Sequence, residues 1–184
     1  MKRLFDVLLA SVSILALSPV LLVTAMAIKV YDRGPILFKQ KRVGINGVVF
    51  EIFKFRSMVV DADKIGGFQT SSSDNRITKI GKIIRKTSID ELPQLLNVLL
   101  GDMSLVGPRP NVPAQKSDYS EQDWNKRNSV KPGITGLAQA LGRSDMTPEL
   151  RTRLDLEYIN NNSFREDLRI IYLTFMQVLT KGGN

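Results

Sequence analysis

Between Val7 and Ile28 the sequence reads VLLASVSILALSPVLLVTAMAI, 22 residues without a charge. As a helix this run would rise about 33 Å, enough to cross a hydrocarbon layer of about 30 Å. Ser18-Pro19 lies at its centre, and an interior proline removes one backbone hydrogen bond and kinks or breaks a helix. Lys2 and Arg3 precede the run, and Lys29, Arg33, Lys39, Lys41 and Arg42 follow it. Lysine and arginine mark the cytoplasmic flank of a membrane segment, and here both flanks carry them. The expectation is therefore a helix-break-helix that enters and leaves one leaflet, with residues 1–32 as a re-entrant anchor. The hydroxyls of Ser11, Ser13 or Ser18 would partner backbone groups freed at the break. A straight spanning helix is the alternative by hydropathy. A cleaved signal peptide with Ala25-Met26-Ala27 as its site fits less well, because the run is long for that purpose and basic residues follow at once.

The polar remainder, residues 33–184, is long enough for one domain with its own core. Beyond the apolar run, residues 29–184 hold 24 Lys+Arg against 17 Asp+Glu, so the basic excess lies outside the anchor. It calls for an anionic partner, and anionic membrane lipids suit a body held beside a cytoplasmic leaflet. Nucleic acid does not fit: aromatic residues are scattered, and no recognition motif for RNA or DNA occurs. The chain has no His and no Cys. That excludes imidazole acid–base catalysis, Ser-His and Cys-His nucleophile systems, and ordinary zinc or iron–sulfur centres. Any chemistry rests on carboxylates, hydroxyls, Lys, Arg, backbone N–H groups or a hard metal ion.

Residues 36–42 and 48–56 are rich in β-branched and aromatic side chains around Asn46-Gly47, which predicts a β-hairpin. Residues 61–76 read as a loop; within it Asp61-Ala62-Asp63 matches the D-x-D metal motif of many glycosyltransferases, a pattern common by chance. Helical spacing places Ile80, Ile83 and Ile84 on one helix, and Leu92, Leu95, Leu96, Leu99 and Leu100 on another that stops at Gly101. Pro93 favours an N-cap at Asp90, since its missing N–H then costs nothing. In that reading Asp90 caps the helix and Glu91 complements its dipole. The functional alternative uses the same two carboxylates, with Lys82, Arg85, Lys86 and Arg109 around them, as a phosphate and Mg²⁺ site. Gly107-Pro108-Arg109-Pro110 holds one Arg between two rigid residues, either as a phosphate clamp or as a plain turn. Lys131-Pro132-Gly133-Ile134-Thr135-Gly136 is a further turn able to present N–H groups. Two helices are expected from Pro148 to Leu179, broken near Asn160-Asn161-Asn162-Ser163. The stripe of Leu168, Ile171, Tyr172, Phe175, Val178 and Leu179 on the second would pack in the core or lie on the membrane. The fold class is α+β, mostly helical, with a small β-hairpin and interfacial amphipathic helices.

Five blocks carry a resemblance: Lys2-Arg3-Leu4-Phe5-Asp6 before the broken apolar segment, Lys54-Phe55-Arg56-Ser57-Met58, Ser88 to Gln94, Gly101 to Pro110, and Lys131 to Gly136. In this order they resemble the bacterial sugar transferases, the monotopic polyprenyl-phosphate phosphoglycosyl transferases, in what looks like their minimal form. The resemblance implies a catalytic domain over 33–184 and a two-step exchange. Asp90 would attack the β-phosphate of a UDP-sugar donor and release UMP, and polyprenyl phosphate, undecaprenyl phosphate being the expected acceptor, would take the phosphosugar from Asp90. Glu91, with Asp90, would hold Mg²⁺, and Arg109 would sit near the phosphates. Lys54, Arg56, Arg85 and Arg143 are carried over as further phosphate contacts, and Ser18 and Pro19 as the membrane helix break. The implied location is the cytoplasmic face of a bacterial inner membrane, early in surface-glycan assembly. Leu137 departs from the Trp of many relatives. The residues alone leave two other readings open: a non-catalytic basic membrane-docking module, and direct glycosyl transfer through Asp61 and Asp63. They name neither the sugar nor the oligomeric state, a homodimer included.

Overall fold

The computed structural model describes residues 1–66, 74–142 and 146–181. Its first element is a single 31-residue helix, α1 (Lys2–Asp32), which ends at Arg33 in the left-handed conformation. The chain stays helical through Ser18-Pro19, so the expected break is not a gap between two helices. Pro19 has no N–H to offer the Leu15 carbonyl, and Ser18 Oγ donates to that carbonyl at 2.8 Å. One hydroxyl thus offsets most of the local cost of the proline.

The hairpin forms as expected. Strands β1 (Leu37–Val43) and β2 (Val49–Phe55) pair antiparallel from Leu37 opposite Phe55 to Val43 opposite Val49. Asn46 (φ 55°) and Gly47 (φ 78°) both take the positive φ that this dipeptide tolerates in tight turns. After a short α2 (Ala62–Ile65) comes α3 (Lys79–Lys86), capped by Thr78 Oγ1, which accepts from the Gly81 N–H.

The chain then departs from the cap expected at Asp90. Residues Ile89–Glu91 form a tight 3₁₀ turn entered through Ser88 at φ 56°, and α4 (Gln94–Leu100) begins only after Pro93. Neither Asp90 nor Glu91 caps a helix. The turn directs Asp90 inward, where it is 7% exposed. Pro93 sits at the N-cap and loses no bond, as anticipated for this region. Gly101 ends α4 at φ 98°, as the sequence predicts.

Strand β3 (Ser104–Val106) pairs in parallel with β4 (Gly133–Thr135). The glycine-rich Lys131–Gly136 segment thus contains a half-buried strand and lines no part of the cavity described below. Glycine is needed because backbones meet here: a methyl on Gly133 would lie 2.1 Å from the Gly107 nitrogen. Helices α5 (Glu121–Arg127), α6 (Leu137–Gly142), α7 (Pro148–Asn160) and α8 (Phe164–Lys181) complete the fold. The break between α7 and α8 falls where expected.

The main core gathers Ala10 of α1, Ile52, Val98, Met103, Val106 and Tyr158, while Ile28, Phe55 and Ile84 form a second cluster near the far end of α1. Leu137 is buried in the main core. On α8 the core contact is made by Ile170 (0% exposed), with Ile171 of the stripe and Leu173 packed beside it, whereas Leu168, Tyr172 and Phe175 stand 44–61% exposed. Of the two roles for that stripe, core packing is therefore not what these three side chains do.

Polar bonds fasten both ends of α1 to the body. Lys2 Nζ donates to Asp167 and Tyr158, Arg3 donates to the carbonyls of Val98 and Leu99, and Asp6 accepts from Ser104 Oγ and the Leu105 N–H. At the other end Asp32 faces Arg56 at 3.9 Å. Between them Leu4, Leu8, Val12, Leu15, Leu22 and Met26 are 57–74% exposed, a long apolar face that none of the described residues covers.

Candidate active site

The 3₁₀ turn at 89–91, the end of β2 and the loop after β3 meet at a cavity of about 560 Å³. Eight basic side chains line it (Arg42, Lys54, Arg56, Arg76, Arg85, Arg109, Arg127, Arg151) against three acidic ones (Asp61, Asp90, Glu91). Such a wall holds a multiply charged anion more readily than a neutral ligand. Six of the sequence-expected residues, Lys54, Arg56, Arg85, Asp90, Glu91 and Arg109, come together here although they span more than fifty positions. Arg143 lies outside the described residues. Asp61 reaches the cavity, while the side chain of Asp63, the other half of the D-x-D pattern, also lies outside them. Ser18 and Pro19 belong to α1, away from the cavity.

The two adjacent carboxylates are shifted in opposite directions. Burial of Glu91 opposes its ionisation, but Arg109 and Lys54 outweigh that effect and hold its carboxyl well below the usual range. Glu91 Oε1 accepts from Lys54 Nζ at 2.7 Å and from Arg109 Nη2 at 2.9 Å. Arg109 is in turn held above its ordinary value, chiefly by Glu91. Asp90 has no hydrogen bond or ion pair among the described residues, and burial pushes its carboxyl up to about 6 despite the pull of Lys54. At neutral pH it is ionised, unbonded and more basic than an ordinary aspartate, which are the properties of a carboxylate nucleophile.

Arg56 is 4% exposed, and none of its guanidinium nitrogens has a hydrogen-bond partner. Its nearest counter-charge is Asp32, 3.9 Å away. Gly34 packs against it so closely that a methyl there would come 2.2 Å from Nη1. The end of the apolar helix and the cavity wall are thereby joined at one buried cation.

Sequence reasoning missed Arg42, Arg76, Arg127, Arg151 and Asn111 in the lining. Burial, followed by repulsion from Arg109, lowers Arg42 to about 10. It donates to the Pro110 carbonyl at 2.9 Å and to Gln40 Oε1 at 2.6 Å. Nothing in the local sequence distinguishes these residues from ordinary surface ones; the meeting of distant elements brings them to one cavity.

The structure is thus a mostly helical α+β body with a long apolar N-terminal helix and a basic cavity that holds a carboxylate pair. The chain belongs to the bacterial sugar transferase family, whose model matches residues 1–181. It is 44% identical over 180 residues to the UDP-glucose:undecaprenyl-phosphate glucose-1-phosphate transferase of Klebsiella pneumoniae, an alignment covering 94% of this chain and 39% of that protein. It is 44% identical to the exopolysaccharide production protein PSS of Rhizobium leguminosarum bv. phaseoli, covering 99% of this chain and 96% of the relative. It is also 45% identical to the galactosyl transferase CpsE of Streptococcus agalactiae, covering 99% of this chain and 43% of the relative. The chain thus spans about two fifths of the first and third of these relatives and nearly all of the second.

Proposed function

We propose that this protein transfers a sugar 1-phosphate from a UDP-sugar to polyprenyl phosphate, with undecaprenyl phosphate as the acceptor, as an early membrane step in building a bacterial surface polysaccharide. The observation that carries this reading is Asp90, ionised and unbonded beside the Glu91–Arg109–Lys54 cluster, in a cavity with five more basic than acidic side chains. Relatives named for both halves of the reaction support it.

In the first step an Asp90 carboxylate oxygen bonds to the β-phosphorus of the donor. The bond from that phosphorus to the bridging oxygen breaks, and UMP leaves with the electron pair. In the second step a phosphate oxygen of the polyprenyl phosphate attacks the same phosphorus. The bond to Asp90 breaks and its carboxylate is restored. Neither step needs a proton at neutral pH, which suits a chain without histidine. Arg109 and Lys54 stand where charge on the transferring phosphoryl group would be balanced.

Asp90 and Glu91 are the residues that would hold Mg²⁺. Among the described residues no third acidic ligand joins them, and two carboxylates plus substrate phosphates form a usual magnesium site. The ion would supply neutralisation of the phosphoryl oxygens.

The anchor is re-entrant and the protein monotopic on the cytoplasmic face in this reading. Support comes from α1, whose Lys2–Asp6 and Ile28–Asp32 ends both contact the same body. About 46 Å of straight helix crossing the bilayer would carry one end away from it. The exposed face of α8 lies on the lipid surface beside α1, with Phe5 and Phe164 in edge-to-face contact at 5.1 Å.

The test is incubation of the full chain with a panel of UDP-sugars, Mg²⁺ and undecaprenyl phosphate. UMP release is expected with one or a few sugars, and none from Asp90→Asn. Release of UDP, or full activity in Asp90→Asn, would overturn the mechanism. Donor alone should add one phosphosugar to the intact mass of the wild-type chain.

A further inference from the structure

Pro108-Arg109-Pro110 is held by its carbonyls. Its prolines carry no N–H, and three successive oxygens instead accept from three different elements. The Gly133 N–H donates to Pro108 O at 3.0 Å, Arg127 Nη2 to Arg109 O at 2.5 Å, and Arg42 Nη1 to Pro110 O at 2.9 Å. Of the two side-chain donors Arg127 is the more deeply set, 2% exposed. Its Nε donates to Asp155 Oδ2 at 2.8 Å, and Asp155 is itself 1% exposed on α7. The Tyr119 ring lies 5.5 Å from the Arg127 guanidinium carbon.

Two charges removed from water are expensive, and an ion pair at this depth contributes little net stability compared with apolar packing. The Arg127 fork instead supplies geometry. One edge is fixed by Asp155, and the other fixes the backbone from which the Arg109 side chain reaches Glu91. A guanidinium can do this because its donors are rigidly spaced and coplanar.

We infer that Arg127 and Asp155 are positioning residues for the transfer reaction, setting the backbone of Arg109 so that its guanidinium meets both Glu91 and the donor phosphates. This inference rests on the reaction proposed above. It extends the working site from the cavity wall to the C-terminal helices: Asp155 on α7 orients Arg127 on α5, which orients Arg109, which holds Glu91. Arg151, one turn before Asp155, lines the same cavity.

Arg127→Lys and Asp155→Asn, each in the wild-type and in the Arg109→Lys background, test it. Lysine can pair with Asp155 but cannot at the same time grip the Arg109 carbonyl. Displacing a catalytic group by about 1 Å costs on the order of 100-fold, so kcat should fall between about 10-fold and about 100-fold in each single variant, with the melting temperature of Arg127→Lys little changed. In the Arg109→Lys background either substitution should add less than about twofold, because the group it positions is already lost. UDP affinity by titration, which needs no turnover, should show the same pattern: weaker in each single variant and no weaker in the doubles. Wild-type rates in Arg127→Lys, or losses that multiply with Arg109→Lys in both readouts, would overturn the inference and leave a purely structural pair. Absence of UMP release from the wild-type chain would instead overturn the reaction itself.

Discussion

Asp90→Asn should make the protein more stable while removing its activity. The carboxyl is 7% exposed, and burial raises it from 3.8 to about 6 in the fold. Between those values the folded chain binds more protons than the unfolded one, so stability falls as pH rises from about 4 to about 6 and then levels off. A rise of that size corresponds to about 3 kcal/mol at neutral pH, and this net figure already contains the attractions of Lys54, Arg85 and Arg109. Asparagine has the shape of the protonated acid and no charge to desolvate, so the variant should recover up to that amount. For a chain of this size about 3 kcal/mol moves the melting temperature by roughly 6–12 °C. Thermal melts in detergent, followed by the fluorescence of the buried Trp124, the chain's one tryptophan, should show the gap opening from near zero at pH 4 to its full size by pH 7. A variant no more stable than wild type at pH 7.5, or a gap independent of pH, would refute the assignment of Asp90 as a carboxylate held ionised against its burial.

The raised Asp90 carboxyl also predicts that the rate of UMP release falls about tenfold per pH unit below pH 6 as Asp90 takes up a proton; initial rates between pH 5 and 8 measure it. Glu91→Gln should act on stability in the opposite sense to Asp90→Asn. It leaves Lys54, 16% exposed, as a buried cation without its partner, and should cost about 3 kcal/mol in the same melts. Asp6→Ala strands the Leu105 N–H and the Ser104 hydroxyl in the interior, with an expected loss of about 1–3 kcal/mol. Proteolysis between α1 and the body should become faster in that variant.

The hairpin was legible because Asn46-Gly47 specifies its turn locally, and α4 because its leucines repeat at helical spacing and Gly101 stops it. The cap assigned to Asp90 was not, since the choice between an α-turn and a 3₁₀ turn depends on Ser88 taking a positive φ and on the interior that Asp90 enters. Lys131–Gly136 read as a turn able to present N–H groups because its pairing partner, Ser104–Val106, lies about thirty residues earlier. Lys54, Arg56, Asp90, Glu91 and Arg109 could be nominated from the blocks they sit in, and Arg85 from the basic residues just ahead of the Asp90-Glu91 block. Arg127 and Asp155 could not: each sits on a helix whose local pattern gives no sign that the side chain is buried, and the ion pair exists only because α5 packs against α7.

By itself the sequence determined the apolar helix, the basic body, the absence of imidazole and thiol chemistry, and the local elements. Those properties follow from residue type and short-range spacing, which act over a turn or two of chain. Only the tertiary structure decided which carboxylate is engaged by cations and which is left free. Asp90 and Glu91 are adjacent and nearly alike in intrinsic acidity, and their difference arises from burial and from Lys54 and Arg109, brought from positions distant in the chain. It also decided that both ends of the apolar helix meet one body. That depends on where Asp6 and Asp32 find their partners, and those partners lie 98 residues from Asp6 and 24 residues from Asp32.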